Sequence, residues 1–153
     1  MFQKKVCIFI WRVSWSRIPC REILDRMGID LNSLLCPRCG EVVESIDHAL
    51  VTCSEVIKIW ELVGKWWKKR IDGVTTVHDL LQEANQSIKW VFLYLIWMHR
   101  NALVFSGLKT NLLGTFVELQ RSAFERITRR ATTWLKGWEE WLVDPTRTAE
   151  SVG

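Results

Sequence analysis

Cys36, Cys39, His48 and Cys53 are the side chains of this 153-residue chain whose types and spacing could do chemistry. They follow a Cys-x2-Cys-x8-His-x4-Cys pattern, and Gly40 stands directly after the second cysteine. A Cys-x-x-Cys turn lets two thiolates grip one ion while the glycine lets the backbone fold back over it. Three soft sulfurs and one imidazole fill a tetrahedron, so the chemistry is that of a closed structural zinc site with no open position for water or substrate. His48 and Cys53 are five residues apart, about 140° around a continuous α-helix. One unbroken helix therefore cannot present both to the same ion, and a short helix from about Ser45 that carries His48 must end or unwind near Thr52. Packing cysteines or a redox pair are the competing readings. The flanks do not resemble a redox strand-to-helix junction, and a histidine and third cysteine in the same segment favour metal. Cys7 and Cys20 fit no ligand spacing and read as a core residue and a helix-start residue.

The other candidate chemistry is electrostatic. Arg38 lies inside the Cys-x-x-Cys turn, where its neighbours face the metal and it is expected to point outward. Lys65, Lys68, Lys69 and Arg70 crowd the end of the helix that follows Cys53. Together these residues could neutralise phosphates of RNA or DNA. The alternative is an ordinary solvated face, since the net charge is only +4. An enzyme reading finds little support. The chain contains no adjacent pair of aspartates to hold two magnesium ions, and Tyr94, the only tyrosine, is followed by leucine. His78 and His99 lack a neighbouring nucleophile or carboxylate constellation. Ten tryptophans are present, and at helical spacing such residues are read as packing material rather than a platform for bases.

These residues have to be positioned by helices. Residues 2–16 place Val6, Phe9, Ile10 and Val13 on one face, with Trp11 and Trp15 flanking it. Pro19 opens a second helix over residues 20–27, with Ile23, Leu24 and Met27 expected to point inward and Gly28 as its stop. Ser54 is placed to cap a helix reaching about residue 70, with Val56, Trp60, Val63 and Trp67 as its apolar stripe. Asp72-Gly73 marks a turn. Beyond it come a short helix over residues 77–84 and a longer one over residues 87–105, apolar on almost every side. The clearest periodicity runs from residue 111 to about 142, including Leu113, Phe116, Val117, Phe124, Trp134, Trp138 and Trp141, and predicts one long amphipathic helix. The expected fold is mainly α: a zinc-binding subdomain over residues 1–70, a helical C-terminal region over 71–143, and a disordered tail over 144–153. The long helix exceeds what a small core can cover, so its end is expected to pair with a second copy or a missing domain. Five cysteines in metal spacing point to a reducing, intracellular compartment. The apolar start is broken by Arg12 and lacks a cleavage site, and Trp90 to Met98 is too short to span a bilayer. No membrane segment or small-molecule substrate is expected.

The residues Ile10-Trp11-Arg12, Arg17-Ile18-Pro19-Cys20-Arg21, Arg26-Met27-Gly28-Ile29, Leu35-Cys36-Pro37-Arg38-Cys39-Gly40, Glu44-Ser45-Ile46-Asp47-His48, Cys53 and Ile59-Trp60 carry a family likeness. This segment resembles the reverse transcriptase zinc-binding domain that follows the polymerase in plant LINE-type (non-LTR) retrotransposon polyproteins. Ile96-Trp97, Arg100-Asn101 and Val104-Phe105 are similar to a segment that often comes after it. The resemblance implies that Cys36, Cys39, His48 and Cys53 hold zinc, and that the module helps a polymerase hold template or target without catalysis of its own. One departure is Cys20, where the family usually has a threonine that caps the helix. Two further readings stand beside this one: a helical protein-interaction module in which zinc is purely structural, and a decayed retrotransposon fragment.

Overall fold

The computed structural model describes residues 2–71, 73–82, 86–109, 111–129 and 137–145. It is mainly helical: α1 (Phe2–Ser14), α2 (Arg21–Arg26), a π-turn (His48–Thr52), α3 (Ser54–Trp67), α4 (Val77–Gln82), α5 (Gln86–Ser106), α6 (Leu112–Thr128) and α7 (Trp138–Val143). Among the described residues the sole extended pairing is an antiparallel bridge between Leu35 and Val43.

The centre is α5. Its Val91, Phe92, Leu93, Ile96 and Trp97 are all buried, and it packs against α1, the π-turn, α4 and α6. The near-continuous apolar run of this helix is thus explained by neighbours on several sides. On α1, Val6, Phe9, Ile10 and Val13 form the buried stripe, and Phe9 meets Tyr94 edge-to-face at 5.6 Å. Cys7 is exposed, which corrects its reading as a core residue; at 100° per residue it falls beyond the edge of that stripe. Cys20 sits at the N-cap of α2 without a capping hydrogen bond and is fully buried. Met27, expected inward, is exposed, because α2 ends at Arg26 and Met27 already belongs to the turn into Gly28.

The apolar stripe of α3 is Val56, Ile59, Trp60, Val63 and Trp67, all buried. Trp60 Nε1 donates to the Leu50 carbonyl at 2.9 Å, which fastens α3 to the π-turn. Its cap falls one residue earlier than expected, on Cys53 rather than Ser54.

The predicted single helix over residues 111–142 is not what forms. Helix α6 ends at Thr128, Gly137 is extended (φ −77°, ψ 167°), and α7 starts at Trp138; residues 130–136, including Trp134, lie outside the described residues. Aromatic packing explains the reversal. Phe124 and Trp138 would be about 21 Å apart along a straight helix, yet their ring centroids are 5.4 Å apart. Trp66 is the anchor, 5.2 Å from the Trp141 ring and 6.1 Å from Phe116, with its Nε1 donating to the Leu142 carbonyl at 3.0 Å. Edge-to-face contacts of this kind add to plain area burial, so folding back gains more than extending into solvent. The buried face of α6 is also rotated from the expected one. Leu119 and Ala123 are inside, whereas Leu113 and Val117 are exposed. Among the described residues no helix is long and apolar enough to cross a membrane.

Candidate metal centre

Residues 34–44 form a tight hairpin around the first two cysteines. The Cys36 amide donates to the Val42 carbonyl at 2.7 Å, and the Glu44 amide to the Leu34 carbonyl at 2.9 Å. Within the turn, the Gly40 amide donates to the Cys36 carbonyl at 2.8 Å. Gly40 has φ +70°, a left-handed conformation that a side chain would disfavour, and this lets the chain turn directly after Cys39.

The second pair of side chains is delivered by the π-turn. Ser45 Oγ accepts from the His48 amide at 3.1 Å, starting a short helical segment. The Cys53 amide then donates to the His48 carbonyl at 2.9 Å, a spacing of five rather than four. A π-turn is rare and usually local; here its wider loop brings residue i+5 back over residue i, which an α-turn cannot do. The expected unwinding thus takes a specific form.

The result is convergence. The ligand atoms of Cys36, Cys39, His48 and Cys53 all lie within 4.8 Å of one another. Cys36 Sγ and Cys53 Sγ are 3.8 Å apart, and Cys39 Sγ is 3.3 Å from His48 Nε2. Two sulfurs bound at ~2.3 Å to a tetrahedral ion should be separated by about 3.8 Å, which is the spacing of Cys36 and Cys53. Cys36, His48 and Cys53 are buried, with Cys39 partly so. The hydrogen bond from Cys36 pulls the Cys53 thiol down to about 7, while that same contact and burial push the Cys36 thiol up to about 12. Cys53 makes no strict capping hydrogen bond, but the amides of Glu55 and Val56 at the start of α3 also favour its thiolate.

Residues 1–60 match the family zf-RVT, described as zinc-binding in reverse transcriptase. This segment is thus similar to a reverse transcriptase zinc-binding domain. No curated protein and no solved structure matches the chain.

Arg38 does not point outward from this domain, contrary to the expectation for its position. Its Nη1 donates to the Ala49 carbonyl at 2.8 Å and its Nη2 donates to the Ile96 carbonyl. Burial pushes the guanidinium pKa down, yet the carbonyls of the π-turn and of α5 hold the charge in place. Arg38 is therefore a brace between hairpin, π-turn and α5. Replacing it with alanine strands two carbonyls, and charged hydrogen bonds are worth about 1.5–3 kcal/mol each. A loss of roughly 3–6 kcal/mol is expected for Arg38→Ala; an unchanged denaturant midpoint would contradict the brace.

Lys65, Lys68, Lys69 and Arg70 are exposed, but not beside the cluster. Lys65 is about 18 Å along α3 from Cys53, at the opposite end of that helix. There the four residues rim an open groove of about 720 Å³ with Ile71 and Leu80 in its wall. Lys68 Nζ lies 3.8 Å from Asp144 Oδ2, and Lys69 Nζ sits 5.9 Å from the centroid of Trp67.

Sequence reasoning missed a further pair. Glu44, at the end of the hairpin, and Arg100, on α5, form a buried bidentate ion pair: Nε to Oε1 at 2.7 Å and Nη2 to Oε2 at 2.5 Å. Glu44 Oε2 also accepts from the Arg21 amide at 3.0 Å, and Arg100 stacks 4.8 Å from the Trp97 ring. The signal in the sequence was a carboxylate following Val42-Val43 and a cation just past the apolar run of a helix, two charges with no obvious solvent face. His99 and His78 find local partners instead, Thr115 Oγ1 at 3.4 Å and the Gln82 side chain at 2.7 Å.

Proposed function

We propose that residues 1–70 are a structural zinc module, with Zn2+ held by Cys36, Cys39, His48 and Cys53, and that it assists the binding of RNA or DNA. The convergence of three sulfurs and one imidazole at tetrahedral spacing carries this reading. Such a set occupies every position around the ion, so zinc supplies cross-linking of hairpin, π-turn and α3 rather than a reactive water. On this reading the chain is not an enzyme. Helix α5 braces the module, and the free thiols support a reducing intracellular compartment. The sequence likeness supports a plant LINE-type retrotransposon polyprotein as its parent.

For the nucleic-acid contacts we retain Lys65, Lys68, Lys69 and Arg70, which are exposed, and drop Arg38, whose guanidinium is already occupied. Metal analysis should find one zinc per chain. An electrophoretic shift at two salt concentrations should show binding that weakens as salt rises. Changing Lys65, Lys68 and Lys69 together to glutamate should weaken binding similarly across sequences and lower the salt slope by about 2–3. A triple variant with the parent's affinity and slope would reduce this patch to a soluble surface.

A helical interaction module is the second reading. Phe105 is 80% exposed, and Leu108 and Leu113 beside it in the chain are exposed too, an apolar surface of the kind that marks association. This surface is not the end of the 111–142 segment that was expected to pair, because Trp141 is buried and Trp138 packs on Phe124. Self-association without nucleic acid would bring this reading forward.

A further inference from the structure

The outer face of α1 carries large apolar residues. Val6, Phe9, Ile10 and Val13 face the core, yet Ile8, Trp11 and Trp15 are 52%, 54% and 63% exposed. At 100° per residue, Lys4, Ile8, Trp11 and Trp15 fall on one stripe directly opposite the buried one. The Trp15 amide donates to the Trp11 carbonyl at 3.2 Å, so the two indoles stand one helical turn apart. Other tryptophans in this protein are consumed by packing: Trp60, Trp67, Trp97 and Trp141 are buried. Trp11 and Trp15 are not.

Charge singles out the same face. Residues 4–20 contain Lys4, Lys5, Arg12 and Arg17 and no acidic residue, so this segment alone carries as much net positive charge as the whole chain, +4. Lys5 and Arg12 run along one edge of the aromatic stripe at helical spacing. Arg17 is held next to them, since its amide donates to the Arg12 carbonyl at 2.7 Å across the left-handed Ser16. All four cations are exposed, and among the described residues none of them is in an ion pair.

We infer that this face of α1 is a binding platform for single-stranded polynucleotide, with bases stacking on Trp11 and Trp15 and phosphates running along Lys5, Arg12 and Arg17. Flat aromatic rings flanked by unpaired cations are how single strands are held without sequence readout. A duplex would offer its phosphates but keep its bases stacked away from the rings, so the platform favours unpaired strands. Polyanion complementarity argues against a neutral protein partner, which would leave four cations without counter-charges. The inference rests on the nucleic-acid reading above and adds where the strand lies and which form it takes.

The test measures Kd of the full-length, zinc-loaded protein for single-stranded RNA, single-stranded DNA and duplex DNA of equal length. The parent should prefer the single strands. Trp11→Ala/Trp15→Ala should lose about 10-fold or more for single strands and little for duplex. Trp11→Phe/Trp15→Phe should recover most of that loss, and it also controls for folding, together with zinc content and far-UV circular dichroism. Arg12→Gln/Arg17→Gln should lower the salt slope while keeping the preference for single strands. RNA and DNA arms that both respond indicate stacking common to the two; a response confined to one still places the strand on the indoles. If the parent binds nucleic acid and the alanine pair binds just as tightly, or loses single strand and duplex equally, the platform is wrong while the broader function stands. If the parent binds none of the three, the nucleic-acid function itself is wrong.

Discussion

Stripping zinc from the protein with a chelator, or replacing Cys39 with serine, is expected to abolish the ordered structure of the hairpin, the π-turn and the start of α3. Structural zinc contributes an apparent ~10–16 kcal/mol in small zinc-finger peptides, whereas the net stability of a whole domain is only about 5–15 kcal/mol. Within the hairpin itself little else holds the chain. The hairpin is closed by one isolated bridge, and Cys36 and Cys53 are buried side by side at 3.8 Å. Without an ion their contact is a single sulfur–sulfur hydrogen bond. The π-turn, which forgoes the regular hydrogen-bond spacing of a helix, loses its reason to persist. Circular dichroism, tryptophan fluorescence of the buried Trp60 and the thermal midpoint should all change on chelation and return with added zinc. A zinc-free protein with an unaltered midpoint would sink the structural role of the metal.

The metal centre was legible because ligand chemistry is written in residue types and spacing. Even the need for a break between His48 and Cys53 follows from helix geometry, although the π-turn that provides it does not, since sequence spacing sets a distance and not a hydrogen-bonding pattern. The core faces of α1 and α3 were equally legible, because each helix has one apolar stripe and one polar side. Where sequence reasoning went astray, the competing effect was tertiary. Arg38 was read from its neighbours in the turn, but its partners are carbonyls on residues 49 and 96, and the latter is 58 positions away. The helix drawn through residues 111–142 obeyed the period of 3.6, yet a periodic stripe does not say whether a helix extends or doubles back. The attraction of Trp138 and Trp141 to Phe124 and Trp66 decides it here. Exposure of Trp11 and Trp15 was only half legible: the core face of α1 left them off it, but a tryptophan at helical spacing is ordinarily packed, and nothing in the sequence says that no second neighbour covers the opposite face.

The Glu44–Arg100 pair should show the second large effect, and its sign depends on how it is broken. Both groups are almost fully removed from solvent, with side-chain exposures of 0% and 5%. Removing one partner leaves an uncompensated buried charge, which costs about 3–5 kcal/mol. Glu44→Leu is the more damaging direction, because it abandons Arg100 and also the Arg21 amide that Glu44 Oε2 accepts from at 3.0 Å. Arg100→Leu leaves the carboxylate with that amide as a remaining donor, so its cost should lie at the lower end of the range. The double variant Glu44→Leu/Arg100→Leu no longer buries either charge, and apolar replacements of buried pairs are often neutral or better. Here recovery should be incomplete by about 1–3 kcal/mol, the penalty of an unsatisfied buried donor at Arg21. A double-mutant cycle read from denaturant midpoints should therefore give a coupling of several kcal/mol. Because Glu44 lies on the zinc hairpin and Arg100 on α5, that coupling measures how firmly the helical region holds the module. Single variants costing less than about 1 kcal/mol, the range of an exposed pair, would mean that hairpin and α5 do not depend on each other through this contact.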